Sequence, residues 1–160
     1  MRRVMGSPWF YPALFVATGL LFLVTGVVDE KVGLVAGGVI MAGLSLMYVP
    51  ALRVRSRPFA GAQAHVDGGG VVVFWRPGCR YCLQLIKELE PERRARGYWV
   101  NIWQEPAAAA FLEGLHERRE GKAHQAVPTA WTRRRDYVVA SEQTRARLAD
   151  TLAQQKETRA

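Results

Sequence analysis

Cysteine is scarce in this chain: Cys79 and Cys82 are the only two in 160 residues. A metal centre built on them is short of ligands, because one C-x-x-C supplies two, and His65, His116 and His124 show no ligand spacing to one another or to the pair. Charge is also scarce, but only at one end. Of 22 bases and 14 acids, three bases and two acids precede residue 51, which leaves 19 and 12 beyond it and puts +7 of the formal +8 in the last 110 residues. The first 50 residues therefore suit a different solvent from the rest. No internal repeat, low-complexity tract or nucleic-acid-binding motif is present. Nucleic acid is thus not an expected partner, and the basicity points to an anionic leaflet.

What fills the uncharged end is apolar. Residues 9–28, WFYPALFVATGLLFLVTGVV, run 20 positions without a charge, and residues 32–50, VGLVAGGVIMAGLSLMYVP, run 19. As a helix rising 1.5 Å per residue, either covers roughly 30 Å of hydrocarbon and satisfies its own backbone hydrogen bonds there. A cleavable signal peptide fits less well, given the long apolar core, the lack of a small-x-small cleavage site and the second span that follows at once. The expectation is a transmembrane hairpin over residues 1–50, closed by Asp29-Glu30-Lys31. Small residues are expected at its contact: Gly33 and Gly37 as a GxxxG, continued by Gly38, Ala42 and Ser45, with Gly19 and Gly26 on the first span. Arg2 and Arg3 before the first span, and Arg53, Arg55 and Arg57 after the second, flank an acidic loop. That bias argues for the cell (inner) membrane with both termini cytoplasmic and with Trp9, Phe10, Tyr11 and Tyr48 at the cytoplasmic interface. Residues 51–70, basic and ending in three glycines, read as a flexible linker to a domain over residues 71–155, with 156–160 as a tail.

From residue 71 the pattern alternates strand and helix. Val71 to Trp75 is a β-branched and aromatic run that stops at Pro77-Gly78. Residues 80–95 place Leu83, Leu85, Ile86 and Leu89 among charges at helical spacing. Tyr98 to Trp103 predicts a second strand and Ala107 to Arg118 a second helix, with Phe111, Leu112 and Leu115 inward. Thr129 to Thr132 and Tyr137 to Ala140 predict two strands around an Arg133-Arg134-Arg135-Asp136 turn, and Ser141 caps a last helix through about Gln155. This order makes an α/β sandwich of about 90 residues, enough for a core. Trp75, Trp99, Trp103 and Trp131 fall on strands as core or sheet-face residues, and each histidine is expected at the surface, with His124 near Pro128.

On that scheme Cys79 starts the first helix and Cys82 lies one turn inside, on the same face. Unpaired N–H groups and partial positive charge at a helix N-terminus favour a thiolate, and Arg76 and Arg80 add to it. Cys79 is the expected nucleophile and Cys82 the more buried candidate resolving thiol.

WRPGCRYCLQL after a strand, VNIWQEPAAAAFLEGL after the first helix and AVPTAW before a final hairpin together resemble the glutaredoxin-like branch of the thioredoxin fold, and in particular the actinobacterial mycoredoxins. The resemblance covers about residues 71–153. It implies a thioredoxin-like domain that performs thiol–disulfide exchange, with Cys79 attacking, Cys82 as second cysteine, Tyr81 as the ring beside the site and Val127-Pro128 as the loop facing it. It further implies a cis bond before Pro128, which turns the Val127 backbone toward a bound cysteinyl segment. The sequence departs from the family at Ala126, where a threonine is usual, at Arg80, where proline or glycine is common, and in the missing double glycine after Pro128. The reductant implied is a low-molecular-weight thiol, mycothiol or glutathione, with no bound cofactor. The implied partners are disulfide-containing or S-thiolated proteins and the lipid membrane. Two other readings stand beside it: a noncatalytic membrane adaptor with a degenerate fold, and a metal- or cluster-binding glutaredoxin-like protein.

Overall fold

Two apolar helices lead the chain: α1, Phe10–Val28, and α2, Val32–Leu46, in a computed structural model that describes residues 7–155. Arg2, Arg3 and the tail 156–160 lie outside the described residues. Both helices are long and apolar enough to cross a membrane, the second when counted on through Arg53. They pack against each other along their length. The small-residue contact holds as expected at Gly19, Gly26, Gly38 and Ser45 and fails at Gly33. Gly19, Gly26, Gly38 and Ser45 are buried, whereas Gly33 faces open space. A Cβ at Gly26 would sit 2.7 Å from Val35 N, and one at Gly38 would sit 2.9 Å from Gly19 O, so these glycines set how closely the helices approach.

Residues 51–70 are not the free linker that their charge and glycines suggest. A 3₁₀ turn, Val49–Arg53, follows α2 almost at once, and Ala51 and Val54 are buried in the core of the domain. Ser56 Oγ accepts from Trp75 Nε1 at 3.1 Å, Arg57 N–H donates to Trp99 O at 2.8 Å, and Pro58 O accepts from Tyr98 Oη at 2.6 Å. A short helix α3, Ala62–Asp67, then buries Ala62 and Val66. Of the three glycines, Gly70 is enclosed, and a Cβ there would overlap the His65 imidazole. Apolar residues spaced through a basic segment hold it down at every few positions.

The rest is mixed α/β: β1 Val72–Trp75, α4 Arg80–Glu88, α5 Pro91–Arg96, β2 Tyr98–Asn101, α6 Pro106–Glu120, β3 Thr129–Trp131, β4 Asp136–Val138 and α7 Glu142–Gln154. The four-stranded sheet has order β2-β1-β3-β4, with β1 parallel to β2 and antiparallel to β3, and β3 antiparallel to β4. Every residue of β1 and β2 is buried, although β2 is at the edge of the sheet, where the Arg57 N–H meets Trp99 O. On one face Phe74 packs with Phe111 of α6 and with Phe59; on the other Trp75 meets Trp99 edge to face. Trp99 Nε1 donates to Arg94 O of α5, and Arg96 Nη1 donates to the carbonyls of Leu152 and Ala153 of α7, which joins these two helices.

Three of the boundaries that differ from the periodicity have a visible cause. The helix expected over 80–95 is two, because Pro91 lacks an N–H and disfavours helical backbone at Glu90. Arg94 Nη1 then caps the first of them by donating to Ile86 O and Leu89 O. β2 stops at Asn101, whose Oδ1 accepts from Trp103 N–H and folds the chain into a turn. β4 begins at Asp136, one residue early, because Thr132 and Arg135 close the hairpin with backbone and side-chain hydrogen bonds. Ser141 caps α7 in a capping box with Thr144, as its position predicted.

Two outcomes follow from this packing. Gly38→Val is expected to part the hairpin and lower the thermal midpoint of the full chain in detergent, by an overpacking cost of about 1–3 kcal/mol, while Gly33→Ala leaves it unchanged. A fragment starting at residue 71 is expected to unfold at lower denaturant than one starting at residue 49, since each buried Val it loses is worth about 1.5–3 kcal/mol.

Candidate thiol site

β1 delivers the chain into Pro77-Gly78, and Gly78 adopts φ +79°, a left-handed conformation that costs glycine little. The turn sets Cys79 at the N-cap of α4. There its Sγ accepts the Cys82 N–H at 3.3 Å, the part that a serine or aspartate oxygen plays at other helix starts. Across the site the Cys79 thiol donates to Val127 O, also at 3.3 Å. The Val127–Pro128 peptide bond is cis, and both residues are buried. The two cysteines are free thiols, Cys79 half-buried and Cys82 fully buried.

Their environments push them in opposite directions. Cys79 is lowered to about 6, chiefly by the hydrogen bond from the Cys82 thiol, with help from the backbone N–H groups of Cys82 and Tyr81 and the charge of Arg76. Burial opposes this without cancelling it. Cys82 is pushed far up, first by burial and then by the neighbouring Cys79 sulfur. One thiol is thus poised as an anion near neutrality and the other keeps its proton. This is the asymmetry that a nucleophile and a reserve thiol require.

The expected side chains around the pair divide. Arg76 is the cation that acts on Cys79, and its guanidinium lies 5.4 Å over the Trp103 ring. Arg80 instead lies over Tyr81, 5.1 Å from the ring centre, and Tyr81 is 42% exposed beside the cysteines.

Behind the Val127 loop stands a network that the sequence did not reveal. His116, expected at the surface, is fully buried on α6. The His124 carbonyl, 2.8 Å from His116 Nδ1, can only accept, so that nitrogen carries the proton. Nε2 lies 3.2 Å from Thr129 Oγ1, and that hydroxyl also reaches Ala126 O at 2.8 Å. Burial holds His116 below the ordinary histidine value, which keeps the ring neutral. His124, expected at the surface near Pro128, is half-buried at the back of the loop: its Nδ1 accepts from Ala126 N–H and its Nε2 donates to Glu120 at 2.7 Å. Hydrogen bonds from His124 and then Arg119 hold the Glu120 carboxyl down to about 2. Arg119 also bridges to Asp136 of β4 at 2.6 Å. The spacing of Glu120 and His124, four apart, was the only available signal. Among the described residues, no three His, Cys, Asp or Glu side chains converge on a point suited to a metal ion.

A second residue without a sequence signal is Tyr11 of α1. A Cβ at Gly78 would lie 3.4 Å from its Cε2 and 3.6 Å from its hydroxyl, which brings the end of the hairpin to the residue before Cys79.

The folded value of Cys79, about 6, lies below the 9.0 of an ordinary thiol, so folding favours the thiolate. Its contribution to the stability of the reduced protein is full above pH 9, and it is lost as the pH falls through 6. Iodoacetamide labelling of the full chain is expected to rise with pH to a half-maximal rate near 6. Mass spectrometry should find the label on Cys79 with Cys82 unmodified; a midpoint near 9, or label on Cys82, would contradict the site geometry.

The chain matches no protein-family model, no curated protein and no solved structure.

Proposed function

We propose that this chain is a membrane-anchored thiol–disulfide oxidoreductase with a thioredoxin-like, glutaredoxin-type domain. The observation that carries the reading is the Cys79 sulfur itself. It caps a helix, accepts the Cys82 N–H, and faces the Val127 carbonyl beside a proline, with its proton held loosely and that of Cys82 held tightly. The sheet order β2-β1-β3-β4, with the cysteines at the end of β1 and the Val127-Pro128 loop at the start of β3, supports the fold assignment. Arg53, Arg55 and Arg57 after α2, against Asp29 and Glu30 between the helices, support a cytoplasmic domain on the inner membrane, where reducing thiols are available.

In the first step the Cys79 thiolate attacks one sulfur of a disulfide between a client protein and a small thiol, mycothiol or glutathione. A bond forms between Cys79 and the small thiol's sulfur, and the client sulfur leaves as a thiolate that takes a proton from water. The enzyme is then oxidised by two electrons and the client reduced by two. A second molecule of small thiol attacks the mixed disulfide, returns the Cys79 thiolate and departs as the small-thiol disulfide. In the dithiol route Cys82 attacks the Cys79 sulfur instead, which releases the small thiol and closes a Cys79–Cys82 disulfide that two further thiols reopen. In this route the tightly held proton of Cys82 must leave before it attacks.

The test uses the full chain in vesicles, a small mixed disulfide, and glutathione or mycothiol as donor. Turnover by the native chain and a fall of at least about 100-fold in Cys79→Ser are expected, as for loss of a nucleophile. Cys82→Ser separates the routes, since activity kept by that variant assigns the monothiol one. A native chain no faster than Cys79→Ser with either donor would overturn the reading.

A further inference from the structure

The residue before Cys79 lies next to the end of an apolar helix. Tyr11 is the second residue of α1, a helix of 19 residues. At 1.5 Å per residue such a helix is about 28 Å long, the thickness of a hydrocarbon core, so its end lies at the headgroup layer. Tyr11 stacks on Tyr48 at the end of α2, with ring centres 5.1 Å apart and planes 16° apart, and Phe15 stacks on the same ring at 5.6 Å. A Cβ on Gly78 would be 3.4 Å from the Tyr11 ring. Cys79 is therefore held beside the aromatic end of the hairpin.

It is also held without slack. Only Val49 and Pro50 separate Tyr48 from Ala51, which is 1% exposed in the domain core. Three residue steps reach at most about 10 Å. α4, whose N-cap is Cys79, packs on the same 3₁₀ turn, Val49–Arg53. The domain thus cannot swing away to present Cys79 to the bulk cytoplasm. On the surface beside Cys79 lies Tyr81, the one exposed large hydrophobic side chain outside the hairpin among the described residues.

From this we infer that the client of Cys79 is a disulfide or S-thiolated cysteine carried by a second membrane protein within about one headgroup layer of the bilayer, with Tyr11 and Tyr81 as ring walls of the site that receives it. The inference rests on the oxidoreductase reading above and on the hairpin spanning the membrane, and it adds the class of client. The chemistry is the exchange already written: a Cys79–sulfur bond forms, a client–sulfur bond breaks, and the small thiol supplies the two electrons. A client cysteine next to its own span arrives at the right height, and confinement to one bilayer raises its effective concentration. A globular client must bring its disulfide down to the lipid surface.

The experiment uses the full chain in phosphatidylcholine vesicles containing phosphatidylglycerol, with glutathione or mycothiol and three probes. One is a small soluble mixed disulfide. The others are single-span peptides bearing the same mixed disulfide on a cysteine either three residues beyond the span or fifteen residues beyond it on a polyproline spacer, about 45 Å out. The near probe is expected to react at least about tenfold faster than the far one. Inserting twelve Gly/Ser residues between Tyr48 and Val49 is expected to bring the two rates within twofold, with turnover of the soluble probe reporting that the domain still folds. Equal rates for near and far probes on the native chain, while the soluble probe is turned over, would overturn the inference and leave the oxidoreductase reading standing. A near-probe preference that survives the insertion would also overturn it. Failure of the soluble probe on the native chain would overturn the oxidoreductase reading and the inference with it.

Discussion

The shortness of the passage from the apolar hairpin to the α/β domain governs the rest of the structure. α2 ends at Leu46, and five residues later Ala51 is already in the domain core. A chain with no slack makes one body of an apolar hairpin and an α/β domain. Two consequences follow for the thiol site. The 3₁₀ turn that begins at Val49 gives α4 a surface to pack on, and α4 presents Cys79. The aromatic end of α1 closes against the loop that precedes it. The position of Cys79 is thus set by the apolar helices as much as by the sheet.

Inside the domain the site is assembled from two directions. β1 and the Gly78 turn bring the cysteines from the front. His116 of α6 holds the His124 carbonyl, and His124 in turn holds the Ala126 N–H of the loop from behind. Arg119 ties the end of α6 to β4. Neutral His116 suits this role, since a charged ring in that place would need a partner that burial does not offer.

Much of this was legible in the residues. Valine and aromatic runs marked β1 and β2, Pro77-Gly78 marked the turn, and the helical spacing after it put Cys79 at a helix start. What escaped notice depends on distance along the chain or on a single dissenting residue. Pro91 breaks a helix whose apolar spacing continues past it. Ala51, Val54, Ala62 and Val66 are too far apart among arginines and glycines to form a periodic signal, yet each finds the core. The hairpin contact uses Gly19, Gly26 and Gly38 as expected but not Gly33, because small residues are plentiful on both helices and only geometry selects among them. His116 sits in a charged stretch and reads as solvated; its partner Thr129 is thirteen residues away on β3. Tyr11 and Gly78 are 67 positions apart, and no local pattern links them.

The proton on Cys79 has a second occupation. While it is present it is spent on Val127 O, at 3.3 Å. Once it leaves, that carbonyl faces an anion and has lost its donor, and the sulfur turns its lone pairs to the Cys82 N–H. The protonated thiol thus keeps the loop's acceptor occupied, and ionisation, half complete near pH 6, vacates it. The same event that bares the sulfur leaves Val127 O open to a backbone N–H.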